Sequence, residues 1–308
     1  IIDTNKFYLL NSGLNNSTGL AYFFVDGELE KTAGYSEVVN ASHAPVIIGG
    51  FQAYSFAEVA TFNSELNMAQ TTIVQNYLTA KYNLDLRDGV ELQRLYSNTD
   101  YIYDIIGVGK AMSLDNNSEE EHLNSGGGAL ELISNGFAAA GDYVFAGHNG
   151  AEIEENETTK AWSRVWNVEF IGGASDVTIG FDFGKAGLTS VPSTDHKLWY
   201  KATETDEWTA VDADGAIDSE NAMLIRFDVT GASSGFYTIA VSNPVVGIED
   251  YINISDNVSL YPNPAENEVM VNLNNNLMGT VEISIVDFTG RTIQTVSTSK
   301  ATMNFSHT

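Results

Sequence analysis

One stretch of this chain has the periodicity of an α-helix. Nearly everything else alternates apolar and polar residues in short runs broken by Gly, Asn and Asp. Strand side chains alternate between the two faces with period two, whereas a helical face recurs every 3.6 residues, so the pattern confines the chain to an all-β fold class. Runs of this kind lie at 6–10, 19–25, 28–32, 45–49 and 57–62. Asp26-Gly27 stands between two of them, and both positions of a tight hairpin turn require positive φ, which these residues tolerate. From residue 100 onward the runs at 101–108, 129–133, 143–145, 161–170, 177–183, 197–201, 222–229 and 236–241 predict a second β-sandwich. Two polar, acidic stretches, 114–128 and 147–160, read as loops within it.

The helical stretch spans 67–82. Asn67 suits the N-cap, with Gln70 three residues on in capping-box position. Ile73, Val74, Tyr77 and Leu78 form one apolar stripe, and Asn83 suits a left-handed terminus. This helix is expected to seal the edge of a sandwich. The whole reads as tandem β-sandwiches, with 90–243 a second sandwich and 244–257 a linker; family resemblances imply that 1–84 is a jelly-roll half with one closing helix and 258–308 a small Ig-like C-terminal unit. The opening residues, Ile1 to Asn5, carry neither a basic segment nor an apolar core, so the chain reads as starting within a longer protein.

A net charge of -27, from 14 Lys and Arg against 41 Asp and Glu, repels phosphate backbones, and no local basic cluster offsets it. Nucleic-acid binding is thereby disfavoured and cations are favoured as partners. The chain has no cysteine, which leans towards a cytosolic or bacterial origin. No apolar run reaches the roughly 18 residues that would span a bilayer.

Candidate chemistry is sparse. Asp212, Asp214 and Asp218 form an Asp-x-Asp-Gly-x-x-Asp pattern, either a calcium loop, since hard cations collect oxygens on tight turns, or a plain inter-strand turn. Asp115, Asn116, Asn117 and Glu119 to Glu121 make a second, weaker cation loop. Ser233, in Gly231-Ala-Ser-Ser-Gly235, fits the spacing of a nucleophile elbow, but that device needs a helix after it and a strand follows here. Glu152, Glu154 and Glu157 have the spacing of some glucanase carboxylates yet fall in a polar loop, as solvated charge runs do. The five histidines show no His-x-x-x-His pair that would ligate zinc. Trp162, Trp166, Trp199 and Trp208 are expected in the core. The chain is accordingly expected to be non-enzymatic.

Two stretches resemble known families. Leu260-Tyr261-Pro262-Asn263-Pro264-Ala265, followed by the alternating 269–273 and then by 281–286 leading to Asp287-Phe288-Thr289-Gly290-Arg291, resembles the type IX secretion sorting domain of the Bacteroidota. Physically, Pro262 and Pro264 fix φ, while Asp287 and Gly290 suit a turn. The resemblance implies a secreted protein delivered to the bacterial surface across the outer membrane, with Tyr261, Pro262, Asn263, Pro264, Asp287, Gly290 and Arg291 as sorting-motif residues. Its implied partner is the outer-membrane shuttle barrel and translocon of that system. The segment is expected to stop before its closing strand, leaving an unpaired edge.

Residues 7–84, through Tyr22-Phe-Phe-Val-Asp-Gly27, Val46-Ile-Ile-Gly-Gly50, Ala57-Glu-Val-Ala60 and the helix, resemble the last half of a concanavalin-like, laminin-G-type domain. Together the two resemblances imply a non-enzymatic surface protein, an adhesin or a structural component, with a surface glycan or another protein as ligand. An accessory tail of a glycan-degrading enzyme and a filament subunit are the alternatives.

Overall fold

The computed structural model describes residues 6–15, 18–35, 55–87, 92–174, 176–244, 258–261, 269–274, 279–286, 292–302 and 304–307. The chain divides into two compact units, Ile1–Val245 and Val246–Thr308. Strands paired into antiparallel sheets are the dominant regular structure of the described residues, and α1 (Met68–Tyr82) is the one α-helix among them. No helix among the described residues is long and apolar enough to cross a membrane.

The first sheet pairs β1 (Leu10–Asn15), β2 (Leu20–Val25) and β3 (Glu28–Gly34) in sequence order. The Asp-Gly turn forms as its chemistry dictates, with φ of 47° at Asp26 and 87° at Gly27. The Asp26 carboxylate is buried beneath the turn, accepting hydrogen bonds from the Leu9 amide at 2.9 Å and Lys6 Nζ at 3.2 Å. A side chain chosen for its backbone freedom thus also ties down the segment before β1. The run expected as a strand at 57–62 forms none and is exposed, while 45–49 lies outside the described residues.

The helix has the predicted caps. Asn67 and Gln70 exchange both capping-box hydrogen bonds, and Asn83 closes the C-terminus at φ 48°, ψ 52°. Its position differs from the sequence expectation. The helix is not an edge seal but packs on β4 (Tyr103–Met112) and β8 (Tyr143–His148), where Ile73 and Ala80 meet Ile105, Tyr143, Phe145 and Tyr96. Of the expected stripe only Ile73 is buried, and Val74, Tyr77 and Leu78 are half-buried. Gln75 lies two positions beyond Ile73, a rotation of about 200° around the axis, and is buried as well, with Thr71 and Thr79. Burial on opposite sides removes the need for a single apolar stripe, which is why the stripe misplaced the helix. Met68 at its start joins Tyr22, Phe24 and Leu92 in a separate small core.

A strap, residues 92–102, crosses the same region and is held by two buried polar side chains. Asn76, fully buried on the helix, accepts from the Leu95 and Tyr96 amides at 2.6 and 3.0 Å and donates to the Gln93 carbonyl at 3.0 Å. Glu169 accepts from the Ser97 and Asn98 amides at 3.0 and 2.9 Å and from Ser97 Oγ. Buried polar atoms are tolerated here because each has a partner.

The sandwich itself has two sheets. One runs β12 (Thr209–Ala210), β11 (Lys197–Lys201), β15 (Gly235–Ala240), β9 (Trp166–Ile171), β8, β4, β5 (Glu119–His122). The other runs β13 (Gly215–Ile217), β14 (Leu224–Val229), β10 (Val177–Asp182), β7 (Leu130–Ile133), β6 (Asn124–Gly127). Val108, Val144, Ala146, Trp166 and Val168 from the first meet Leu132, Ile179, Phe181, Ile225 and Phe227 from the second in one core. Trp162 packs edge-on to Phe181 and Phe183 at ring separations of 5.6 and 4.9 Å. Trp162, Trp166 and Trp199 are buried as expected, and Trp208 is half-buried.

Every residue of β8 is buried. Val144 and Ala146 face the sandwich core, while Tyr143 and Phe145 face the helix. Glycines on β4 make room for those rings: a Cβ at Gly107 would lie 2.8 Å from Phe145, and one at Gly109 only 2.0 Å from Tyr143. The segments 1–84 and 90–243 accordingly fall within one compact unit.

The stretch 114–128, expected as a loop, contains β5 and β6. Its acidic residues are absorbed by specific partners: Lys110 pairs with Glu119 and Glu121 at 3.0 and 3.2 Å, and Glu120 accepts from the Met68 amide at 2.6 Å. With the like charges neutralised by Lys110 and by the helix N-terminus, a strand becomes favourable.

Candidate functional site

The C-terminal unit holds the residues expected to form the sorting motif. In it β16 (Val258–Tyr261) pairs with β17 (Met270–Asn274), and β17 pairs with β20 (Asn304–His307). A second pair joins β18 (Gly279–Val286) and β19 (Thr292–Lys300). Tyr261 and Met270 face each other across the first ladder, with Pro262, Asn263 and Pro264 between them in sequence. Val286 and Thr292 end the second ladder, with Asp287, Gly290 and Arg291 between them, after a register shift at Ile285/Val286. Tyr261 therefore closes a strand, and the other six motif residues lie outside the described residues. The final segment forms a strand: Val271 to Asn274 pair with His307 to Asn304, so β17 has a neighbour on both sides, and β16 and β20 are the edges of that sheet among the described residues. Alternation too short to register as a strand in the sequence is completed here by a partner some thirty positions upstream.

In the upstream unit the structure does not gather Asp212, Asp214 and Asp218. Strand β13 separates the first two from the third, and Asp218 accepts from the Glu220 and Asn221 amides at 2.9 and 2.6 Å and from the Arg226 guanidinium. Those bonds hold the Asp218 carboxyl below its ordinary range. Asp115 in the weaker loop is likewise used locally, accepting from Ser113 Oγ and the Asn117 amide. Among the described residues no three His, Cys, Asp or Glu side chains converge as a metal site. Ser233 precedes β15 rather than a helix, and its carbonyl accepts the Tyr237 hydroxyl at 2.6 Å. Glu152, Glu154 and Glu157 are exposed on the loop after β8.

One constellation had no trace in the sequence. Asp104 and His148 lie 44 residues apart, yet Asp104 Oδ2 meets His148 Nε2 at 2.9 Å. The β4–β8 ladder pairs Tyr103 with His148 and then shifts register before Ile106, and that irregularity, with Asp104 at φ 46°, turns the carboxylate onto the ring. His148 Nδ1 accepts the Gly150 amide at 2.9 Å, so Nε2 carries the proton and donates it to Asp104. Tyr103 stacks on the imidazole at 5.9 Å, and Trp166 meets it edge-on at 6.0 Å.

Burial pushes the His148 pKa down more than the Asp104 hydrogen bond raises it, and nearby Arg164 pushes it further down. Burial also lowers His122 and His196. All three therefore stay neutral in the folded chain at pH values where the unfolded chain is already protonated. The unfolded state then binds more protons, so stability falls with decreasing pH. The loss is expected to begin near the ordinary value of 6.5 and to level off below the folded pKa values. Urea midpoints of the 1–245 unit measured from pH 8 to pH 5, about the span over which His titrates, check this. His148→Phe should flatten part of the slope.

Comparison with curated proteins and with solved structures finds no match. Residues 259–308, within the C-terminal unit, match the family of the secretion system C-terminal sorting domain, which supports export of this chain as cargo of type IX secretion to the cell surface.

Proposed function

We propose that the chain is a non-enzymatic surface protein of the Bacteroidota, in which the sorting unit delivers the 1–245 unit for adhesion or structural display. The observation that carries the reading is the family match at 259–308, supported by strand pairs whose ends flank both halves of the motif. The adhesive part rests on the likeness of 7–84 to a concanavalin-like module, with a surface glycan or protein as ligand. The non-enzymatic part is supported by the strand that follows Ser233 and by the solvent exposure of Glu152, Glu154 and Glu157.

The test fuses residues 246–308 to a periplasmic reporter in a host with type IX secretion. Surface display of the reporter is expected, and its retention in the periplasm would overturn the delivery role. Turnover of a polysaccharide or ester by the 1–245 unit, lost in Glu157→Gln or Ser233→Ala, would overturn the non-enzymatic reading.

A further inference from the structure

The chain contains two Asn-Gly dipeptides, Asn135-Gly136 and Asn149-Gly150, and their surroundings differ chemically. The Gly136 amide donates to Ser134 Oγ at 3.2 Å, a hydroxyl with no basic character. The Gly150 amide donates to His148 Nδ1 at 2.9 Å, a neutral imidazole whose other nitrogen is held by Asp104. Beside it, Asn149 is exposed and its Oδ1 accepts the Ala151 amide at 3.2 Å. A nucleophilic nitrogen in contact with a base, the base oriented by a carboxylate, and a carbonyl oxygen on an amide donor make up the parts list of acyl transfer.

We propose that Asn149-Gly150 is a self-modifying site, at which the Gly150 nitrogen closes on the Asn149 side-chain carbonyl carbon with His148 as general base. The N–H proton passes to His148 Nδ1 as the new C–N bond forms. Asp104 stabilises the resulting imidazolium through Nε2, and the Ala151 amide holds the developing oxyanion. The bond from the carbonyl carbon to Nδ2 then breaks, and ammonia leaves with the proton His148 returns. Water opens the five-membered imide to aspartate or isoaspartate. No oxidant or cofactor is consumed. Each event adds a negative charge to a loop that already carries Glu152, Glu154 and Glu157, and the isoaspartate form lengthens the backbone by one carbon. Gly150 also tolerates the positive φ of +78° at this position, and it sets no side chain beside the closing ring.

The charged and titratable groups facing His148 are Asp104 and Tyr103 from β4 and the Arg164 guanidinium, which donates to the Ala151 and Gly128 carbonyls. Burial keeps the ring neutral at physiological pH, so its Nδ1 lone pair is available there.

Peptide mapping of the folded full chain after incubation at neutral pH tests the site, with Asn135 as the internal control. Asn149 is expected to convert several-fold faster than Asn135. Its rate should level off above the His148 titration, while the rate at Asn135 continues to rise with hydroxide. Asp104→Asn, which keeps a residue tolerant of positive φ, and His148→Gln should each slow Asn149 several-fold and leave Asn135 unchanged. In urea the two sites should converge, a readout that holds even where a variant fails to fold. Equal rates in the native chain, a rate ratio that survives urea, or no levelling with pH would each overturn the proposal.

Discussion

A chain ending at Val245 is expected to melt at the same temperature as the upstream unit of the full chain and to accumulate in the periplasm. The two halves of this result have separate causes. The unit Ile1–Val245 contains its own core, built from β4 to β15, and among the described residues its hydrophobic clusters draw only on positions up to 245. The core described for that unit is therefore expected to survive removal of 246–308. The sorting unit, by contrast, holds the whole of the family match, so export has nothing to act on once it is gone. Thermal unfolding followed by circular dichroism checks the first half, and fractionation of surface, periplasm and medium checks the second. Normal surface delivery of the shortened chain would refute the sorting role. A lowered melting temperature would show that the tail contributes packing to the upstream unit.

Asn76→Ala is expected to be among the most damaging single substitutions in the upstream unit. The change leaves the Leu95 and Tyr96 amides and the Gln93 carbonyl without their partner, and Tyr96 is completely buried. Unsatisfied groups of this kind cost about 1–3 kcal/mol each, and partial access of water to the strap brings the expected total to about 3 kcal/mol. For a unit of this size that corresponds to a fall in melting temperature of about 6–12 °C. Asn76→Asp should be no milder, because it places a second acceptor against the Thr72 and Gln93 carbonyls now served by Nδ2. Urea denaturation provides the measurement. A loss below about 0.5 kcal/mol, the range of an ordinary surface substitution, would mean that Leu92 and Tyr96 hold the strap by packing alone.

Local features were legible in the sequence because their causes are local. The Asp26-Gly27 turn, the Asn67/Gln70 capping box and the Asn83 terminus depend on residues within a few positions of one another, and all three formed as read. The all-β class and most strand positions of the sandwich followed from period-two alternation for the same reason. What could not be read depends on distant partners. Strand β5 exists in an acidic run because Lys110 and the Met68 amide, from other elements, take up its charge. The helix has buried residues on opposite sides because a sheet and a strap both meet it, and no apolar stripe records that. The Asp212, Asp214 and Asp218 pattern was visible, but the Arg226 guanidinium that occupies Asp218 comes from the next strand. The Asp104–His148 contact needs a register shift in the β4–β8 ladder, which composition does not reveal.

The place of β15 in its sheet has a mechanical consequence. It is the last strand of the upstream unit, and it lies between β11 and β9 rather than at an edge. Its ladder with β11 runs from Lys197↔Ala240 to Lys201↔Phe236, and on the other side Gly235 to Tyr237 pair with β9. A pulling force that reaches this unit from its C-terminal side is carried first by an interior strand. Along the strand axis, that load must shear two sets of hydrogen bonds together, whereas an edge strand would present only one. Forced rupture is governed by the unfolding barrier rather than by equilibrium stability. The topology thus places a strand paired on both sides where a pull from the C-terminal side would first be felt.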